Sequence, residues 1–246
     1  MIGTQVSSIV RKQLRILFGA FICATILTGY ASSATAKNDA DATKVYQMVY
    51  SATLDPKTGQ AHASVTLKQH RQLVRSIEFV MPKDRYLNIR PISRIEINGD
   101  RVIWKPLKKG DTLHFDFVID HQRSNQKMDA RITTTWALLK LDHLFPSATS
   151  RVVKGATSEA TLTLNAPTQW SIETPYGGGA GQIFEVDNTR RNFDAPRGWF
   201  IAGELGVRRE NKNGRHITVA APLGSGLQAN DVLAFLRWTM PSLVEL

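Results

Sequence analysis

The six histidines of this 246-residue chain are the side chains that most directly suggest metal chemistry, and their spacing argues against it. Zinc hydrolases commonly place two histidines four residues apart on one helical face, with a glutamate between them as the base. No His-Glu-x-x-His occurs, and no two histidines stand four residues apart. We therefore predict no metal ligand in this chain and interpret the histidines as scattered surface or packed side chains. They are His62, His70, His114, His121, His143 and His216.

Two glycine-containing segments have residue types found in active sites, but neither has the required spacing. A hydrolase nucleophile elbow places a small residue two positions on either side of the serine, in a tight strand-to-helix turn. Ser225 instead lies directly between Gly224 and Gly226, which predicts a flexible turn before the last helix. The segment Tyr176–Gly181 lacks the Lys-Ser or Lys-Thr that completes a nucleotide phosphate loop, and its glycines predict a mobile turn. We predict no catalytic and no cofactor-binding residue.

Carboxylates and tryptophans raise two hypotheses of carbohydrate chemistry. Asp116 and Asp120, with Asp142, suggest a glycosidase pair, but residues four apart in a strand stand about 13 Å apart, beyond the usual catalytic separation. We therefore interpret them as solvated acids on a strand face. We consider two roles for the tryptophans, an aromatic platform that binds a sugar and packing in the core and at its rim, and we favour packing. The tryptophans are spread over many strands: Trp104, Trp136, Trp170, Trp199 and Trp238.

The segments that hold these residues are mostly β-strands. Apolar residues alternate from Tyr46 to Leu54 and from Ala61 to Leu67, and the turn-forming segment Asp55–Gly59 between them predicts an antiparallel hairpin. The step Asn98-Gly99 predicts a second hairpin, between Ile95–Ile97 and Val102–Trp104. Leu113–Asp120 alternates as a half-buried strand does.

Short apolar runs predict further strands, and the pattern changes only near the end of the chain. Asn230 is the predicted cap of a helix with apolar residues at helical spacing, and Pro241 is expected to kink or divide it. This helix is still apolar at Leu246, so we expect the chain to stop within a structural element. The further strands are Val74–Met81, Arg131–Leu139, Ala160–Leu164, Trp170–Glu173, Ile183–Val186, Trp199–Gly203, Gly206–Glu210 and His216–Ala221, the last two joined through Asn213-Gly214.

Residues 1–36 have the composition of a cleavable export signal. Basic residues precede an apolar run from Ile16 to Ala31, and Ala34-Thr35-Ala36 supplies small residues for a cut after Ala36. The apolar run is short compared with the roughly 20 residues of a membrane span. We therefore expect a periplasmic or secreted protein. The basic residues are Arg11, Lys12 and Arg15.

Charge and cysteine content restrict the partners of the exported part. The formal charge of +10 falls to +7 without the signal, which contains three basic residues and no acid. Lys105–Lys109 and Arg190-Arg191 are the densest basic groups, and no aromatic platform interleaves with them, so we predict solvated faces, no nucleic-acid binding and weak contact with anionic envelope components. The single cysteine, Cys23, lies in the signal, so the mature chain would form no disulfide.

Four segments carry a family resemblance by their order along the chain. They are Leu113–Asp120, Leu144–Arg151, Ala160–Pro167 and the stretch from Phe193-Asp194-Ala195-Pro196 through Gly206–Arg209. This order resembles the N-terminal part of the gluzincin metallopeptidases, the superfamily of aminopeptidase N and the glycyl aminopeptidases. The segments look like the central strand of the β-domain, the turn after it, the next strand and the passage into the catalytic domain. Asn230–Leu246 is similar to that domain's first helix.

The resemblance implies a mainly β fold, with an antiparallel β-sandwich or saddle-like sheet domain over residues 37–203. A C-terminal helix would begin a second, catalytic-like domain, truncated here to residues 204–246. The resemblance also implies zinc and a peptide substrate for the full-length protein, with this portion as a non-catalytic scaffold and cleft wall. The zinc motif and substrate loop would lie beyond Leu246, and the Asp-Glu-Pro motif usual after the Phe-Pro turn is absent. No catalytic residue is therefore carried over, and the chain alone should be inactive.

The residues themselves keep a second hypothesis open. The basic charge, the five tryptophans and the missing catalytic set also suit a complete cell-envelope β-sandwich module that binds or assembles without enzymatic activity. The two hypotheses share export and β architecture. They differ in whether a catalytic domain follows.

Overall fold

The computed structural model describes residues 44–122, 128–187, 193–212 and 215–244, which form eighteen β-strands and two helices. The predicted mainly β, antiparallel fold with a C-terminal helix is confirmed. The strands are β1 (Val45–Asp55), β2 (Gln60–Lys68), β3 (Val74–Val80), β4 (Tyr86–Pro91), β5 (Arg94–Asn98), β6 (Arg101–Lys105), β7 (Gly110–Val118), β8 (His121–Gln122), β9 (Met128–Ile132), β10 (Trp136–Lys140), β11 (Ala148–Val152), β12 (Thr157–Asn165), β13 (Ser171–Thr174), β14 (Gly177–Gly178), β15 (Ile183–Glu185), β16 (Trp199–Gly203), β17 (Leu205–Lys212) and β18 (Arg215–Pro222), and the helices are α1 (Leu141–Leu144) and α2 (Ala229–Val244).

The first sheet is built around the predicted hairpin of β1 and β2, in the order β15-β12-β1-β2-β7-β4. The alternating residues of both strands are buried on one face, as their period of two requires. β1 and β2 pair antiparallel, with Asp55 opposite Gln60 and Gln47 opposite Lys68. On its other side β1 pairs with β12 in parallel, starting with Val45 opposite Thr157. This long-range parallel pair interrupts the otherwise antiparallel arrangement of the sheet.

Two further sheets complete one continuous core. The second has the order β14-β13-β16-β10-β9-β8, and the third has the order β11-β3-β6-β5. Aromatic side chains from all three sheets are almost fully buried together, including Trp104, Phe117 and Phe200. The remaining pair, β17 and β18, forms a separate two-stranded ribbon.

One further predicted hairpin is confirmed, and one predicted strand is wrong. The Asn98-Gly99 hairpin is confirmed, but Asn98 pairs with Arg101, so the loop residues are Gly99 and Asp100, and Gly99 takes a φ of 62°. The single strand predicted over Arg131–Leu139 is wrong, because β9 and β10 form a hairpin there. The hydroxyl of Thr133 explains the turn, since it accepts a hydrogen bond from the Trp136 amide at 3.0 Å.

The terminal helix also differs in detail from the prediction. It begins at Ala229, and the carbonyl of Gln228 accepts hydrogen bonds from the amides of Asp231 and Val232, so Asn230 lies within the first turn and is not the cap. The helix continues through Pro241 to Val244, so the predicted division there is wrong. No helix in the described ranges is long and apolar enough to cross a bilayer.

Several sequence predictions fall outside the described residues. They concern the export signal over residues 1–36, Cys23, the basic pair Arg190-Arg191, the turn Asn213-Gly214 and the end of the chain at Leu246. These stay predictions, as do the domain boundaries at residues 37–203 and 204–246.

Candidate functional site

The candidate site is the C-terminal motif, which we define as β17, β18 and α2. Ile217 and Val219 on β18 pack against Leu233 of α2 and form a small apolar cluster distinct from the main core. An ion pair between Arg237 of α2 and Glu210 of β17, at 2.7 Å, joins the helix to the ribbon. The motif therefore has its own packing, as the beginning of another structural unit would require.

The other side of α2 presents aromatic side chains to solvent. Trp238 is 77% exposed and Phe235 is 60% exposed, and their ring centroids lie 6.4 Å apart. Leu223 and Leu227, in the segment that leads into the helix, are also exposed. Large apolar groups concentrated on one face are typical of a surface that packs against another protein or domain. We call Phe235 and Trp238 the apolar face.

A cleft of 370 Å³ lies between the ribbon and the start of the helix. Gly206, Arg208 and the segment from Ala221 to Asn230 line it, and Ser225 lies within that segment. The Ser225 hydroxyl is exposed and accepts a hydrogen bond from the Leu227 amide at 3.4 Å. The predicted turn before the helix is therefore present. Among the described residues that line the cleft there is no histidine or carboxylate, the groups that activate a serine nucleophile.

The most ordered polar group on a sheet face is formed by His62, Asp116 and Asn88. His62 Nδ1 lies 2.7 Å from one carboxylate oxygen of Asp116, and Asn88 Nδ2 donates to the other oxygen at 2.7 Å. Asp116 is buried, so its interpretation as a solvated acid is wrong. His62 is half-exposed, and the carboxylate fixes the orientation of its ring. Asn88 adopts a φ of 49° at a bulge between β4 and β7.

The electrostatic state of Asp116 follows from these contacts. Burial raises the pKa of this carboxyl, but the hydrogen bonds from His62 and Asn88 outweigh burial and hold the pKa below its ordinary value of 3.8. The group thus resembles the histidine–carboxylate pair of a hydrolase. No nucleophile completes it, because the described contacts of His62 include no serine hydroxyl.

We expect the Asp116 contacts to make the fold sensitive to acid. A carboxyl with a lowered pKa stabilises the folded state fully above its ordinary value of 3.8, and this contribution is lost as the pH falls through the lower folded pKa. Asp116→Asn should therefore show a shallower loss of stability than the native chain below about pH 4. Urea unfolding across acidic pH measures the difference. Asp100→Asn, in an exposed turn, is the control and should keep the native pH profile.

A second polar cluster is buried where the first and second sheets meet. Arg85 lies with its guanidinium 4.5 Å from the centroid of the Phe117 ring, and one of its nitrogens lies 3.9 Å from Asp129 Oδ1. The same Asp129 oxygen lies 2.7 Å from Nδ1 of His121. Burial lowers the pKa of Arg85, while Asp129 acts in the opposite direction. The Arg85–Asp129 contact is therefore a buried ion pair, and His121 extends it toward the surface.

His143, on α1, borders this cluster. Burial lowers the pKa of its imidazole, and the positive charge of Arg85 lowers it further. Both His143 Nδ1 and Arg85 Nε are buried without a hydrogen-bond partner. The hydroxyl of Tyr86 donates to the carbonyl of His143, which ties β4 to α1. The cluster therefore joins three elements and has a structural role.

The remaining sequence candidates are dispersed. Asp120 accepts a hydrogen bond from the Ile132 amide at 2.7 Å, and Asp142 accepts one from the Gly198 amide at 3.3 Å, so each acid serves a different backbone segment. The amides of Gly179 and Gly181 donate to Ile172 and Leu164, which makes the glycine segment part of a short hairpin. Within the described ranges, no three His, Cys, Asp or Glu side chains are grouped so that they could hold a metal ion.

The five tryptophans do not form a platform. Trp104 and Trp170 are buried, Trp136 is half-buried, and Trp199 and Trp238 are exposed on different elements. Lys140 lies 5.0 Å from the centroid of the Trp199 ring and covers part of it. The sequence drew attention to the five tryptophans. It did not show that Trp199 and Trp238 would be the exposed ones.

Comparison with solved structures identifies the fold. An aminopeptidase N family protein from Idiomarina loihiensis is similar over 77% of this chain and 35% of its own, with a TM-score of 0.55 and 15% identity. An M1 zinc metallopeptidase from Deinococcus radiodurans matches over 79% of this chain and 52% of its own, with a TM-score of 0.38 and 11% identity. Legionella pneumophila aminopeptidase A matches over 71% and 24%, with a TM-score of 0.37 and 15% identity. No protein-family model and no curated protein matches the chain.

The class that the fold defines is that of an aminopeptidase N family structure, and the resemblance seen in the sequence is confirmed at the level of the fold. This chain corresponds to a portion of such a structure. It spans about a third of the length of the Idiomarina loihiensis protein and about half that of the Deinococcus radiodurans protein.

Proposed function

We propose that the chain is the non-catalytic scaffold and cleft-wall portion of an exported zinc metallopeptidase-like protein that acts on peptides. The observation that carries the proposal is the fold, which is shared with 35% of an aminopeptidase N family protein. A portion of this kind contributes shape and positioning, since catalysis would depend on zinc ligands in another domain.

The C-terminal motif supports this role. Its small core of Ile217, Val219 and Leu233 holds α2 on the ribbon, while Phe235 and Trp238 extend on the opposite side. An aromatic pair on a helix that is otherwise anchored suits a surface that packs against a following domain. In that arrangement the ribbon fixes the direction of α2, and the neighbouring cleft limits which peptide ends approach the metal.

The coding sequence beyond Leu246 tests the proposal most directly. We expect it to continue and to encode a His-Glu-x-x-His segment, the helical arrangement that places two zinc ligands and a general base on one face. A stop codon directly after Leu246 would contradict the proposal. In a purified sample of this chain, we expect neither bound zinc nor aminopeptidase activity, and a longer product that includes the motif should show both.

Export is proposed on the basis of residues 1–36. The N-terminal sequence of the protein recovered from the cell envelope should begin at Lys37, directly after the small residues Ala34-Thr35-Ala36. An unprocessed N-terminus in the cytoplasmic fraction would contradict this. The second candidate function is an envelope binding or assembly module without enzymatic activity, and it also requires export. Its specific support is the cluster of basic side chains at one end of the first and third sheets.

A further inference from the structure

Basic side chains that are separated in the sequence are brought together at one end of the first and third sheets. Three described segments meet there, residues 68–75, 105–110 and 151–155, together with Lys44. They carry nine lysines and arginines and no aspartate or glutamate. Eight of the nine are exposed, all except Lys44. We call this surface the basic end.

Strand register and one buried glutamine hold the three segments together. Lys68 at the end of β2 is paired with Gly110 at the start of β7, and β11 ends with Val152 opposite Val74. Gln69 is buried, and its side-chain amide donates to the Leu107 carbonyl at 2.9 Å. Its side-chain oxygen accepts from the amides of Leu73 and Val74 at 3.0 and 2.9 Å. The backbone from which the basic side chains extend is therefore held in one arrangement.

Apolar side chains extend from the same surface. Leu107 is 51% exposed between the buried Pro106 and the exposed Lys108. Ile92 is 74% exposed and directly precedes Ser93, whose hydroxyl accepts a hydrogen bond from the Trp104 indole. Exposed aliphatic tips among cations are suited to a charged surface with an apolar layer beneath it. Soluble polyanions have no such layer.

Two acids of the described residues lie on strands next to this surface. Glu96 lies 2.5 Å from the Lys105 ammonium and compensates one cation. Asp111 is buried, and its carboxylate accepts a hydrogen bond from the Trp104 indole at 2.8 Å, so it faces the interior. Lys108, Lys109 and Lys154 remain on the outer surface.

We infer that the basic end docks on an anionic membrane surface, with the cations at the phosphate groups and with Leu107 and Ile92 in the interfacial layer. The entry point of the chain supports this orientation. The first described residue, Lys44, lies at this end, and its carbonyl accepts a hydrogen bond from the Thr157 amide. The apolar run that ends at Ala31 precedes Lys44 by a dozen residues, which reach at most about 40 Å. Under the export proposed above, the basic end is thus close to the membrane before cleavage.

The inference is tested by measuring how tightly the full chain binds to vesicles. Vesicles of phosphatidylcholine alone are compared with vesicles that also contain the anionic lipid phosphatidylglycerol. Every variant carries the same residues 1–43, so the apolar run contributes equally throughout. Each lysine at an anionic surface strengthens binding about fivefold, so Lys108→Gln with Lys109→Gln should weaken binding to the anionic vesicles about 25-fold. The matched control is Lys57→Gln with Lys83→Gln, which has the same net charge and changes exposed lysines at the opposite ends of β1 and β3. The control should bind within about twofold of the native chain.

Equal losses in the two double variants would overturn the inference, because net charge alone would then explain binding.

A second experiment distinguishes binding to a membrane from binding to a soluble polyanion, with inorganic polyphosphate as the probe. Leu107→Ser should weaken vesicle binding and leave polyphosphate binding unchanged. Vesicle binding that is unaffected by Leu107→Ser, combined with equally tight polyphosphate binding, would overturn the membrane assignment. Neither arm depends on a zinc motif, so these results are independent of the proposed peptidase role.

Discussion

Replacing Trp104 with alanine is expected to lower the free energy of unfolding by about 3–5 kcal/mol, the usual cost of removing a fully buried tryptophan. The Trp104 side chain is completely buried on β6, between neighbours on β3 and β5. Its indole nitrogen donates to Asp111 at 2.8 Å and to Ser93 at 3.1 Å. The substitution therefore leaves a cavity and also removes a donor from a buried carboxylate. Urea denaturation followed by circular dichroism measures the change.

The exposed Trp199 gives a control of the same type. Trp199→Ala removes a ring that is 47% exposed and should cost less than about 1 kcal/mol, the usual range for a surface position with a cation–π contact. Trp104→Phe should lie between the two, since it keeps most of the volume and removes only the donor, at about 1–3 kcal/mol. A cost for Trp104→Ala no larger than that for Trp199→Ala would contradict the structural role assigned to Trp104.

Asp129→Asn is expected to lower the free energy of unfolding by about 3–5 kcal/mol, the usual cost of removing one member of a buried ion pair. Asp129 is 7% exposed and provides the carboxylate nearest to Arg85, at 3.9 Å, and to His121, at 2.7 Å. Its neutralisation would remove the carboxylate closest to the buried Arg85 charge and leave the contacts with the Phe117 ring and the Ile119 carbonyl. The loss is measured by urea denaturation at neutral pH.

The reciprocal substitution should be less damaging. Arg85→Met removes the guanidinium together with its unpartnered Nε–H, while Asp129 keeps its contact with His121. Methionine also fills much of the volume over Phe117, so we expect a cost of about 1–2 kcal/mol. The order of the two effects is the discriminating result. If Arg85→Met were the more destabilising change, the arginine would contribute more than the carboxylate that we consider essential.

The strands were predictable where burial follows a local period. Tyr46 to Leu54 and Ala61 to Leu67 alternate clearly because one face of each strand packs on the core, and the turn between them is encoded by adjacent residues. The partner of β1 on its other side was not predictable, because no local pattern shows that Val45 pairs with Thr157. The β9–β10 turn was missed because threonines suit strands by propensity, and only the Thr133 hydroxyl contact shows that they form a turn.

The contacts of the candidate site residues were also only partly predictable from the sequence, for a different physical reason. Absence of a local zinc motif could be seen directly, since such a motif lies within a few residues of one helix. The pair His62–Asp116 joins two strands, the pair Arg85–Asp129 joins the turn before β4 to β9, and the partners are 54 and 44 residues apart. The basic end likewise depends on sheet register. Of the residues in the basic end, the sequence analysis therefore singled out only Lys105–Lys109, and it interpreted the basic groups as solvated faces.

The parallel pairing of β1 with β12 has a consequence for the time at which the protein can fold. β1 begins at the second described residue, yet its parallel partner is made about 110 residues later, and such distant contacts slow folding. The first sheet therefore remains incomplete until most of the chain has been synthesised. Under the export proposed above, translocation of an unfolded chain would be favoured by this delay, because the central sheet would close only after most of the chain had been made.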